Sequence, residues 1–148
     1  MTVQTTAGAT FGIVSGEPAT YDSAGFAALS FVNVGEIVSL GAHGASYSLV
    51  THSPLDKRRV EKFKGSVNDG SMALSLGMDI ADAGQIVLIA GADGANVDAI
   101  HSVELTYQDG STEYFTAIVM NYERNPSTID TIIGANVTIE LNNKIVDA

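Results

Sequence analysis

Along most of the chain, apolar and polar residues alternate with a period of two, the pattern of strands that bury one face and offer the other to something polar. The clearest run lies at 71–78. Met72, Leu74, Leu76 and Met78 share one face, while the other holds only the small residues Ser71, Ala73, Ser75 and Gly77. A face that small lets another backbone come close, so these four positions are candidates for a contact between subunits. Further on, His101, Val103, Leu105 and Tyr107 alternate with Ser102, Glu104, Thr106 and Gln108, and Asp109-Gly110 predicts a primed hairpin turn into a strand from Thr112 to Tyr122. That strand would span roughly 35 Å, more than a small sandwich usually requires. Residues 29–40 read as another strand, with Gly35 inside it as a bulge. Near the end, Val137, Ile139 and Leu141 alternate with Thr138 and Glu140. Asn142-Asn143 predicts a tight turn into Lys144-Ile145-Val146, which ties the C-terminus into a sheet.

One segment departs from period two. Over 79–90, Asp79 is placed to cap a helix and Asp82 to sit in its first turn, and Ile80, Ala83, Val87 and Ala90 form one stripe. This predicts a short helix lying on a sheet; a buried strand over 85–90 is the competing reading of the same apolar run. The stretch 41–66 follows neither period. It begins with glycines, contains Pro54, and ends in basic residues, with Tyr47, Leu49, Val50, Leu55 and Phe63 as apolar anchors. Long connections of this kind are uncommon in a compact domain and are usually functional or disordered. The anchors predict an arm that docks on a surface.

Composition bounds the function. The 148 residues fit one domain, and a hydrophobic fraction of 45% is enough for a core of ordinary size. No repeat or linker divides the chain. No apolar run is long enough to cross a bilayer, and MTVQTTAGAT lacks the basic and apolar regions of a secretory signal, so the expected product is soluble and not membrane-inserted. Cysteine is absent, which removes disulfides, thiolate metal sites and a cysteine nucleophile.

Charge changes the picture most. Seventeen acidic residues face seven basic ones, a formal net charge of -10, which opposes binding to a nucleic-acid backbone. Five of the seven cations, Lys57, Arg58, Arg59, Lys62 and Lys64, fall within eight positions, with only Glu61 among them. A basic arm on an acidic body is suited to attract copies of the same chain; a solvated basic loop is the plainer reading.

A search for chemistry returns nothing specific. Gly41-Ala42-His43-Gly44 and Gly91-Ala92-Asp93-Gly94 lack the spacing of nucleotide-binding loops and read as turns. Asp93, Asn96 and Asp98 lack the glycine and terminal glutamate of a calcium loop. His43, His52 and His101 are isolated, and no nucleophile elbow is present. Asn136-Val137-Thr138 matches a glycosylation sequon that has no meaning without secretion. The expectation is a protein with no enzymatic activity, no catalytic or metal site and no cofactor.

Several segments in series carry a resemblance. They are Tyr47-Ser48-Leu49-Val50-Thr51-His52-Ser53-Pro54-Leu55, Lys62-Phe63-Lys64-Gly65-Ser66, Gly70 to Gly77, Asp82-Ala83-Gly84-Gln85, Gln108-Asp109-Gly110 before Glu113-Tyr114-Phe115-Thr116-Ala117, and Gly134 to Leu141. Together they resemble the major tail tube proteins of long-tailed, non-contractile phages and related prophages. The likeness covers nearly the whole chain in order, although no single segment is a diagnostic motif. It implies a mainly β, tail-tube-type sandwich or half-barrel in a single domain of 1–148, with one flanking short helix and a long extended loop. It further implies hexameric rings stacked into a hollow tube around a tape-measure protein, joined by tail terminator and distal tail proteins, with DNA only as passing cargo. Such a subunit is made in the bacterial host cytoplasm and ends in the virion tail. In that family a long loop reaches the neighbouring ring, and the matching stretch here is about 42–64. Its candidate contact residues are Tyr47, Leu49, Leu55, Lys57, Arg58, Arg59, Lys62, Phe63 and Lys64. The alternative is a β-sandwich binding module, such as a virion decoration or a receptor- or carbohydrate-binding domain. The absence of tryptophan and the scatter of the five tyrosines leave that alternative without an evident stacking platform.

Overall fold

A computed structural model describes residues 2–148, and the chain is mainly β, as expected. Strands β1 (Thr10–Ser15), β2 (Val32–Asn33), β3 (Ile37–Leu40), β6 (Ser71–Gly77), β7 (His101–Thr106), β8 (Thr112–Asn125) and β9 (Gly134–Leu141) form one antiparallel sheet in the order β2-β1-β7-β8-β9-β6-β3. A short β10 (Val146–Asp147) also pairs with β8. Strands β4 (Ser46–His52) and β5 (Glu61–Asn68) pair only with each other, as a separate ribbon.

The sheet order shows how the barrel is made. β2 and β3 stand at opposite ends of the order, yet only residues 34–36 join them. Four residues of chain, from Asn33 to Ile37, reach at most about 14 Å. The two edges of the sheet must therefore curl round to within that distance, and the strands wrap a single core of Phe11, Ile13, Leu74, Val103, Phe115 and Ile139, among others. The expected continuous strand over 29–40 is thus two short strands. Gly35 is the corner between two edges rather than a bulge, and Glu36 takes up the turn with φ 63°.

Two helices flank the sheet where one was expected. The predicted one, α2 (Ala83–Gly91), is capped by Asp82, whose side chain accepts from the Gln85 amide; Asp79 lies a turn outside it. Its buried stripe is also rotated from the expected one. Gly84, Gln85, Leu88 and Gly91 face inward, whereas Ile80 lies before the helix and is exposed. The cause is close packing: α2 lies against β1, β2 and β8 with glycines at its contacts, so small residues mark its inner face and larger ones partly escape. The helix missed in the sequence, α1 (Ser23–Ala27), caps on Asp22 and places Phe26 against Tyr114 with ring centroids 5.3 Å apart. Tyr21 and Phe31 join that cluster. The outer face of β8 is therefore covered here too, and 114–117 is buried on both sides.

Two turns also differ from expectation. At 107–111 the Gly110 amide donates to the Tyr107 carbonyl, and Gly110 alone has positive φ (89°). This is the three-residue hairpin loop with a glycine bulge; a primed two-residue turn needs a different set of dihedrals. At 142–143 the chain does not reverse. β9 and β10 are both antiparallel to β8, and the Asn142 amide and side chain bind Thr116 as the strand steps sideways.

Candidate assembly surfaces

Residues 41–70 connect two paired strands, β3 and β6, and continue them outward. The Gly41 amide donates to the Ala73 carbonyl at 2.7 Å, Gly44 and Gly70 lie against each other, and Ser46 then pairs with Asn68. The long loop expected here is thus a β-hairpin, a two-stranded arm growing from the sheet. Its root is fixed by His43, whose Nε2 lies 2.8 Å from Glu113 Oε2 and whose ring packs beside Phe115. Close by, burial and the Glu113 carboxylate push the Tyr107 hydroxyl up to about 12.

Register assigns the arm two faces. Tyr47, Leu49 and Val67 share one with Lys62 and Lys64, and Lys64 Nζ sits 4.7 Å from the centre of the Tyr47 ring. Val50 and Phe63 share the other with His52 and Glu61. All of these apolar side chains are about half exposed or more, and Leu55 at the tip is 100% exposed. The tip also carries Lys57, Arg58 and Arg59. Lys57 pairs with Glu61 at 2.8 Å, and Arg58 sits in the left-handed region (φ 51°). Every residue proposed for the arm therefore lies on this hairpin, and the structure adds Val60 and Val67 to its exposed apolar set. A lone two-stranded ribbon is marginally stable in water, and this one exposes apolar side chains on both faces.

The second surface is the outer face of β3-β6-β9-β8. Ser71, Ala73, Ser75 and Gly77 lie on it, with Ser71 and Ala73 exposed. Register sets Ala73 beside Thr138 and Ser75 beside Asn136, and Ser75 Oγ donates to Asn136 Oδ1 at 3.2 Å. The next strand adds Ile118, Asn121 and Glu123. The α1 segment covers the outer face of β1, β7 and the start of β8, whereas this face is uncovered. β3, β6, β9 and residues 118–123 of β8 hold Glu123 and Glu140 and no lysine or arginine. Two edges of this four-stranded unit lack a strand partner: the outer edge of β3, and β8 beyond Ala117 on the side that β7 leaves.

Neither surface resembles a reaction centre. The three histidines lie apart: His43 at the arm root, His52 on the arm, His101 buried under α2. Among the described residues no group of three or more His, Asp or Glu side chains is placed to hold a metal, and no helix is long and apolar enough to cross a membrane.

No sequence-family model matches the chain, and no curated protein sequence does. Solved structures do. A chain of the anti-feeding prophage baseplate, determined with six-fold symmetry, aligns over 100% of this chain and 97% of its own length at TM-score 0.69 and 10% identity. A chain of the sheath-tube complex of an extracellular contractile injection system (PVC) aligns over 93% of this chain and 87% of its own at TM-score 0.61 and 12% identity. The SPP1 tail tube protein aligns over 94% and 75% at TM-score 0.59 and 12% identity. The fold is therefore the tail-tube-type β fold, shared by proteins of a contractile system and of a phage tail tube.

Proposed function

We propose that this chain is a structural virion protein, the major subunit of a tail tube that assembles from stacked hexameric rings and conducts DNA. The observation that carries the proposal is the arm. A hairpin with apolar residues on both faces and five cations at its tip and along β5 has nothing to bury against in its own subunit, while the chain has the tail-tube-type fold over its full length. A ring is a natural way to complete the sheet. Pairing the free edge of β3 in one copy with the free stretch of β8 in the next would close both open edges of the β3-β6-β9-β8 unit. The uncovered face of β3-β6-β9-β8 would then turn toward the conduit and the neighbouring copies. Its small side chains leave room, and carboxylates without cations repel a phosphate backbone rather than hold it. The arm joins one ring to another. A tape-measure protein in the lumen, terminator and distal tail proteins at the tube ends, and synthesis in the host cytoplasm complete this reading.

Negative-stain electron microscopy of the purified protein over a range of concentration and salt, with light scattering on the same samples, tests it. Hollow tubes or six-fold rings are the expected result. A monomer that persists throughout that range, including after addition of preformed tube ends as seeds, would overturn the reading.

A further inference from the structure

We infer that, within the tube proposed above, the arm of one copy docks on the opposite pole of the next, on the apolar and acidic surface built by the 126–133 connection between β8 and β9. The inference rests on the tube reading and adds the arm's partner. The seven-residue strand β6 measures the body. It starts at the arm root, Ser71, and ends about 20 Å away at Gly77, which pairs with Gly134 at the start of β9. The 126–133 connection therefore sits at the far end from the arm. It is a built feature: the Thr128 amide donates to Thr131 Oγ1, that hydroxyl donates back to the Thr128 carbonyl, and the Met78 amide donates to the Ile133 carbonyl. Yet it presents Ile129 97% exposed and Ile132 86% exposed, with Ile80 exposed beside Met78 and Asp79.

Charge selects the occupant. The arm, 46–68, has five cations against Asp56 and Glu61. The far pole exposes Glu36, Asp79, Glu123 and Asp130 against Arg124 alone. Arm against arm would set like charge on like charge, whereas arm against pole joins opposite charge and buries both apolar sets. The contact is also heterologous: when two copies join, one keeps a free pole and the other a free arm, so the union repeats without limit and gives a filament.

The chain has no cysteine, so engineered pairs report the contact directly. Tubes of the Phe63→Cys/Ile132→Cys variant, and separately of Leu49→Cys/Ile129→Cys, are oxidised and run on a non-reducing gel. At least one pair is expected to give a ladder of multimers that the matching single-cysteine variants do not give. In a parallel test, Lys62→Glu/Lys64→Glu is expected to raise the concentration needed for assembly about tenfold, and adding Asp79→Lys/Asp130→Lys to recover most of that loss. Intact tubes with no ladder from either pair and no recovery on charge exchange would overturn the docking partner and leave the tube reading standing. Failure of the unmodified chain to form rings or tubes would overturn both.

Discussion

Gln85 shows how much one side chain holds together. It is fully buried, its Nε2 donates to the carbonyls of Gly35 and Gly77, and its Oε1 accepts from the Asp79 amide and the Tyr122 hydroxyl. Four elements meet at this one amide: the corner between β2 and β3, the end of β6, α2 and β8. Gln85→Leu leaves four buried or half-buried groups without their partner, and the expected cost is about 2–3 kcal/mol, a fall of several degrees in Tm read by calorimetry. A folded variant of unchanged Tm would show that water replaces the amide. Beside it, Gly84 permits the helix to touch the sheet, because a methyl there would fall on the Asn33 carbonyl and Val34 Cα. His101 carries a second prediction. It is 3% exposed, its Nδ1 has no hydrogen-bond partner, and burial pushes its pKa below the ordinary 6.5. Below that ordinary value the unfolded chain takes up a proton that the folded chain refuses, so stability falls as pH drops from 6.5 toward the lower folded value. Denaturant unfolding of the parent and of His101→Leu over that window should show the slope in the parent and a shallower one in the variant.

Among the elements, the arm is the one that the proposed assembly would stabilise. Its cations are solvent-facing in the free subunit, where a surface pair such as Lys57–Glu61 contributes about 0–1 kcal/mol. Replacing Lys57, Arg58, Arg59, Lys62 and Lys64 with Ser or Gln is therefore expected to leave the Tm of the monomer unchanged and to weaken ring stacking. Added salt should weaken stacking of the parent and narrow its lead over the variant, since screening acts on the attraction that the variant lacks. Sedimentation or turbidity across salt concentration measures this, and equal assembly of the two proteins at low salt would show that the cations serve another purpose. The His43–Glu113 contact at the arm root is the complement of this design, because it fixes the angle at which an otherwise free hairpin leaves the body.

For the whole molecule, the division between covered and uncovered surface is the main finding. One outer face of the sheet is closed by Tyr21, Phe26 and Phe31 of the α1 segment, and the other is left open with small side chains and carboxylates. If the open face meets neighbouring copies around a conduit, Ser75→Arg places a long side chain where small residues leave room only for a close neighbour. The expected result is a folded monomer that forms no tubes by electron microscopy. Normal tubes from Ser75→Arg would show that this face meets only solvent. The net charge of -10 sets the background, because copies repel one another except where the basic arm meets acid.

The period-two runs at 71–77, 101–106 and 135–141 were legible in the sequence because burial of one sheet face leaves a local signature that needs no partner to be read. The arm's apolar and basic residues stood out for the opposite reason: they fit no buried face, and the structure places them on an exposed hairpin. What the sequence could not carry was anything that depends on which strands become neighbours. The split of 29–40 into two strands at opposite sheet edges, the rotated inner stripe of α2 and the sideways step at Asn142 all follow from closing the barrel. So does the role of Gln85, which reads as an ordinary exposed helix residue until Gly35, Gly77, Asp79 and Tyr122 surround it. Periodicity records whether a side chain is buried, but long-range contact decides what it is buried against.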